Sequence, residues 1–185
     1  RFRRMSLRNT TTGYGTLARA LHWLVAIGIF YLIYLGLQQS DMENGDAKTA
    51  IRATHASWAL VILLLMSIRI VWRFMSEVPA YPEGMPGWQR KSATLVHWAL
   101  YAAVFLQLLG GSMTVGTKGN GLPFGMSLPV PISKSDEGHE FWEEIHEFSW
   151  QLLAVLLALH ILAALYNHFV RKNDVLRRMT VGVKD

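Results

Sequence analysis

With 185 residues, 51% of them hydrophobic and only 17% charged, the chain is too apolar for a small water-soluble domain. Its net charge of +5 does not mark a nucleic-acid binder, because the basic residues sit beside apolar runs and build no interleaved basic recognition helix. The lack of cysteine excludes disulfides, iron–sulfur clusters, Cys-ligated zinc and thioether-attached haem, so any redox centre needs other ligands.

Four stretches, residues 20–40, 53–68, 92–117 and 148–170, contain no Lys, Arg, Asp or Glu. Runs of that length predict four membrane spans. The first span, about 18–38, is too long for a cleaved signal sequence and is followed by Gln38-Gln39-Ser40-Asp41 rather than a small-residue cleavage site, so it is expected to stay as a helix. A short acidic connection leads to the second span, about 50–74, whose last turns carry Arg69 and Arg73 on one face. Pro79, Pro82 and Pro86 then break the helical pattern. The third span covers about 89–114. Residues 115–140 turn to Gly, Pro and Ser, the longest extramembrane segment, and the fourth span, about 140–170, opens on Glu140, Glu143, Glu144 and Glu147, which suit a helix N-terminus.

The expected fold is an all-α transmembrane four-helix bundle in a single domain. Of the 18 Lys and Arg residues, 14 fall in the N-terminal arm, around the second connection and in the tail; only Lys48, Arg52, Lys118 and Lys134 lie in the other two connections. The positive-inside rule therefore places both termini in the cytoplasm and the 115–140 segment outside.

Six of the seven histidines, all but His139, sit at or inside these spans, where ionisable side chains are rare and usually functional. His146 and His160 are 14 residues apart on one helix, so their directions differ by roughly 40° and their depths by roughly 21 Å. Each calls for a partner at its own depth. His55, at the outer start of the second span, matches His146; His22, at the inner start of the first, matches His160, and His97 near the inner end of the third competes with it. His168 falls at the inner interface, within reach of a haem propionate, a quinone or lipid headgroups. A zinc site would gather three or four ligands at one level, whereas these histidines fall in pairs on two levels, the arrangement by which a bundle holds non-covalent b haem. Gly28, Gly36, Gly110 and Gly111 would let a macrocycle approach the backbone, and equally would let helices pack. Trp23, Trp58, Trp72, Trp98, Trp142 and Trp150 read as an interfacial belt.

In order and spacing, Leu21-His22-Trp23-Leu24, Thr54-His55, Arg69 with Arg73, Val96-His97-Trp98, Lys118-Gly119-Asn120 with Phe124-Gly125, Ile145-His146-Glu147, Leu159-His160 and Asn173-Asp174-Val175-Leu176-Arg177-Arg178-Met179 resemble the bacterial cytochrome b561 family over nearly the whole chain. The resemblance implies a di-haem cytochrome of the bacterial inner membrane, with His22 and His160 ligating an inner haem b and His55 and His146 an outer one. The superoxide-oxidising members imply superoxide as the outer electron donor and ubiquinone as acceptor, with Lys118 and Lys134 as candidates for steering the anion against the nearby acidic turn. Other members imply a cytochrome b subunit serving a partner dehydrogenase or hydrogenase. Arg69 and Arg73 are candidates for the inner haem's propionates or for anionic headgroups. A His pair of the family just past the last ligand is Asn167-His168 here. A histidine-bearing transporter is the non-redox alternative.

Overall fold

The computed structural model describes residues 7–118 and 133–181. They form helices α1 (Thr16–Ser40), α2 (Asp46–Met75), α3 (Gly87–Thr117), α4 (Asp136–Phe169) and a short α5 (Val175–Thr180), with no strand among the described residues. The first four are long and apolar enough to cross a membrane. Each extends beyond the core of its predicted span, and the extensions have local causes. α3 opens directly after Pro86, whose carbonyl accepts from Arg90 N–H at 3.1 Å; proline is at home in a first helical turn because its missing donor would be unused there. α4 starts three to four residues ahead of the expected His139 or Glu140. There Ser135 Oγ accepts from Gly138 N–H at 3.1 Å, a side-chain cap contributing about 1 kcal/mol, while Asp136 and Glu137 face the positive end of the helix dipole. α4 ends where Lys172 takes φ 52°, and Asn173 N–H returns to Asn167 O at 3.0 Å.

The chain resolves into two compact units, each drawing a segment from all four long helices. Unit 1 comprises Arg1–Val25, Leu65–Tyr101 and Ala154–Asp185; unit 2 comprises Ala26–Leu64 and Ala102–Leu153. In unit 1, Leu21, Val25, Met66, Met85 and Leu156 are buried; in unit 2, Ile29, Leu32, Ile62, Val104, Leu108 and Leu153 are. Outward-facing Leu64, Leu95 and Leu162 are each more than 60% exposed, a cost in water but none against lipid. Among the described residues ten Lys and Arg belong to unit 1 and four, Lys48, Arg52, Lys118 and Lys134, to unit 2.

Unit 1 is tied together outside the spans by its N-terminal arm and tail. Asn9 Nδ2 donates to Glu77 O at 2.8 Å, Asn9 Oδ1 accepts from Gly15 N–H at 2.9 Å, and Ala80 N–H reaches Thr11 O at 2.9 Å. A Cβ on Gly15 would stand 2.5 Å from backbone atoms of Leu7 and Arg8, so only glycine fits. The sequence pattern gave no helix after 170, yet α5 forms, because its partners are remote in sequence. Trp23 Nε1 donates to Met179 O at 2.9 Å, Arg19 Nη1 to Thr180 O at 3.3 Å, and Arg178 both pairs with Asp174 at 2.9 Å and donates to Ala80 O.

Candidate functional site

In unit 2, α2 presents His55 and α4 presents His146 with ring centroids 6.4 Å apart and planes at 78°. The two imidazoles are held differently. His146 Nδ1 lies 2.9 Å from the main-chain oxygen of Gln107 on α3; a carbonyl only accepts, so Nδ1 carries the proton and Nε2 keeps a lone pair. That lone pair accepts from the Gln107 side-chain amide at 3.1 Å, and the amide oxygen in turn accepts from the fully buried Ser149 hydroxyl. His55 lacks that arrangement: its Nδ1 is buried without a hydrogen-bond partner among the described residues, and its ring lies against the main chain of Leu32. The glycines divide their work. Gly110 brings α3 against the backbone of His146, where an added Cβ would sit 3.4 Å from Cα and N, and Gly28 meets Ile62, whose Cδ1 an added Cβ would strike at 2.0 Å. Gly36 and Gly111 face the rings themselves, at 3.6 Å from His55 Cε1 and 2.9 Å from His146 Cε1 for the same hypothetical carbon.

In unit 1 three imidazoles meet. His160 on α4 stands 6.2 Å from His22 on α1 and 5.3 Å from His97 on α3, centroid to centroid. The structure thus brings together both candidates for partnering His160. Arg69 is the cation within electrostatic range of all three, and Arg73 reaches His97. Arg69 donates to Ala18 O at 3.4 Å and lies 5.9 Å over the Tyr101 ring, contacts that hold a charged head among apolar helices. His168 packs edge-on against Phe169, and its Nδ1 is buried without a partner among the described residues. Its neighbour Asn167, 5% exposed, is a structural knot: its oxygen accepts from Gln89 at 3.1 Å and Asn173 at 2.7 Å, and its amide donates to Ala163 O at 2.8 Å.

Lys118 and Lys134 are both exposed, and they flank the hydrogen bond from Ser135 N–H to Thr117 O at 3.1 Å, which brings them to one edge of unit 2. His139, expected in or beside the outer loop, lies in the first turn of α4, with Nδ1 3.1 Å from Thr114 O and Nε2 3.7 Å from Glu143. Gly119, Asn120, Phe124 and Gly125 of the loop motif lie outside the described residues. Sequence reasoning missed Gln107 and Ser149. The available signal was a lone amide in an apolar span and a serine three residues past a histidine.

A profile of the prokaryotic cytochrome b561 family matches residues 13–182. The chain belongs to the prokaryotic cytochrome b561 family. It is 29% identical to cytochrome b561 homolog 2 of Escherichia coli (strain K12) over 178 residues, 95% of each chain. Identity to cytochrome b561 homolog 1 of the same organism is 25% over 167 residues, 86% of this chain and 92% of the relative. Identity to the probable superoxide oxidase CybB of Yersinia pestis is 22% over 167 residues, 90% and 94% of the two chains. Like other cytochromes b561 this is an electron-transfer protein, and with its four apolar helices it is a multi-pass bacterial membrane protein in contact with lipid.

Cytochrome b561 membership implies b-type haem, and the residues present fit that group. Among the described residues no three of His, Asp, Glu or Cys converge as a tetrahedral ion site would require. Instead each unit offers imidazoles that face one another from different helices, a donor set that would hold a b haem. His146 is already in the tautomer that leaves Nε2 for a metal, oriented by a main-chain carbonyl as ligating histidines usually are.

Proposed function

We propose that this cytochrome carries two haem b groups and moves electrons across the bacterial inner membrane, oxidising superoxide to dioxygen on the periplasmic side and reducing ubiquinone. The observation that carries the reading is that imidazoles face one another in each compact unit, His55 and His146 in unit 2 and His160 with His22 and His97 in unit 1. The whole chain acts as one di-haem domain with both termini cytoplasmic, a reading supported by the ten-to-four division of positive charge between the units. Two superoxide anions give up one electron each and leave as dioxygen; ubiquinone takes up the two electrons and two protons and leaves as ubiquinol.

His55 and His146 hold the outer group, with the Gln107 carbonyl fixing the imidazole tautomer; His22 and His160 hold the inner one, and His97 lines the same place. Arg69 and Arg73 supply positive charge for carboxylates at the inner site. Bound haem supplies one-electron redox chemistry, which superoxide, a one-electron donor, can use without a protein acid or base. Lys118 and Lys134 raise the local concentration of a small anion at the outer edge. The superoxide assignment draws on the Yersinia pestis relative's name and on this lysine edge.

The test is the visible spectrum of the purified protein in detergent under a superoxide flux, followed by addition of a soluble ubiquinone. Reduction bands that appear and then vanish are expected. Bands that never appear would overturn the superoxide reading and favour an electron-transfer subunit served by a partner dehydrogenase.

A further inference from the structure

Unit 1 carries an open groove of about 420 Å³ along α3, lined by Arg90, Lys91, Thr94, Leu95 and Trp98. None of the three unit 1 histidines lines it, and no role assigned above uses it. Its two ends differ in chemistry. At one end are two adjacent cations in the first turns of α3, neither with an ion-pair partner among the described residues. At the other, Leu95 is 71% exposed, and the Trp98 ring, 42% exposed, forms an aromatic wall with Phe74 at 5.7 Å and Tyr101 at 5.6 Å. The change from polar to apolar comes at Thr94, whose hydroxyl bonds Arg90 O at 3.0 Å and Tyr81 OH at 2.9 Å, so the α2–α3 connection is anchored to the helix at that point. From Lys91 to Trp98 the helix rises about 10 Å.

We propose that this groove is a binding site for one anionic phospholipid, its phosphate on Arg90 and Lys91 and an acyl chain along Leu95 and Trp98. Charge complementarity selects the occupant. A zwitterionic lipid would bring its own cation to two unpaired cations, and a free phosphate would leave the apolar end of the groove uncovered. A basic head group site above an apolar, aromatic trough on a membrane-spanning helix matches the two-part chemistry of an anionic lipid, and phospholipid-specific sites of basic residues at span ends are built this way.

The test uses native mass spectrometry of the full-length holoprotein released from detergent after equilibration with dioleoylphosphatidylglycerol or dioleoylphosphatidylcholine. Wild type should retain the phosphatidylglycerol adduct at least about fivefold over phosphatidylcholine, and R90Q/K91Q should lose that preference, since each basic residue near an anionic surface adds appreciably to attraction. Arg177→Gln, the loss of one positive charge elsewhere in unit 1, should keep it, and Leu95→Ser should weaken the adduct with both cations in place. Retention of the preference in R90Q/K91Q overturns the proposal, as does its loss in Arg177→Gln. Displacement of the lipid by inorganic phosphate alone, or by a short-chain ubiquinone at equal concentration, overturns it in favour of those ligands. Haem absorbance that is unchanged in all variants shows that folding is not what the adducts report.

Discussion

The two imidazole clusters are built on opposite electrostatic plans. In unit 1 three histidines lie within electrostatic range of the Arg69 guanidinium, and Arg73 reaches one of them; in unit 2 the Glu143 carboxylate acts on His146, which is also bonded to a neutral amide–hydroxyl pair. Unit 1 is organised by charge and unit 2 by hydrogen bonds to uncharged groups. A cation stabilises whatever gains an electron beside it, so on the proposed two-haem reading the difference would favour reduction of the unit 1 haem. His97 is nearer His160 than His22 is, so proximity does not single out His22 as the partner of His160.

The largest expected effect comes from removing one imidazole at a time. His55→Ala or His146→Ala should halve the haem content by pyridine haemochrome assay and leave the unit 1 spectrum, and His22→Ala or His160→Ala should do the reverse. Loss of the unit 1 haem in His97→Ala but not in His22→Ala would reassign the partner of His160.

Next is the amide that occupies the His146 lone pair. Because haem iron bound by His146 would compete with the Gln107 amide for Nε2 while the main-chain carbonyl stays untouched, Gln107→Leu should tighten haem uptake by the unit 2 site about fivefold, the equivalent of the roughly 1 kcal/mol of one neutral hydrogen bond. Haem titration of apoprotein in a His22→Ala background measures it. Weaker uptake would mean that the amide supports the loaded site.

Arg69→Gln should lower the midpoint potential of the unit 1 haem by roughly 40 mV, about 1 kcal/mol for one electron, and leave the other potential in place. Potentiometric titration followed in the visible region would show two equal shifts, or none, if the charge asymmetry has no functional weight. Smallest is Lys118→Glu, expected to slow reduction by superoxide about twofold at low salt and to reduce the salt dependence of the rate. Stopped-flow rates in which wild type and variant respond alike to salt would remove the steering role.

Much of this was legible in the sequence, for physical reasons that also mark the limits. Absence of charge over 16 or more residues is a direct readout of lipid contact, so all four helices could be placed. Their ends could not be placed as closely, because they depend on local partners such as Ser135 Oγ on Gly138 N–H. The spacing of His146 and His160 named the helix that serves both clusters. Which imidazole faces His160 depends on rotation and tilt of neighbouring helices, which a periodic pattern does not encode. Gln107 and α5 were missed because their bonds connect residues 39 to 161 positions apart.

The contact between His146 Nδ1 and Gln107 has a consequence for how this protein can vary. Because the acceptor is a main-chain oxygen, every amino acid that keeps α3 helical at position 107 supplies it. The imidazole's proton is therefore insulated from genetic drift at the very residue that holds it, while the side-chain amide on the other nitrogen is open to it. Descendants of this sequence can retune one face of the ring by point mutation without putting the tautomer at risk.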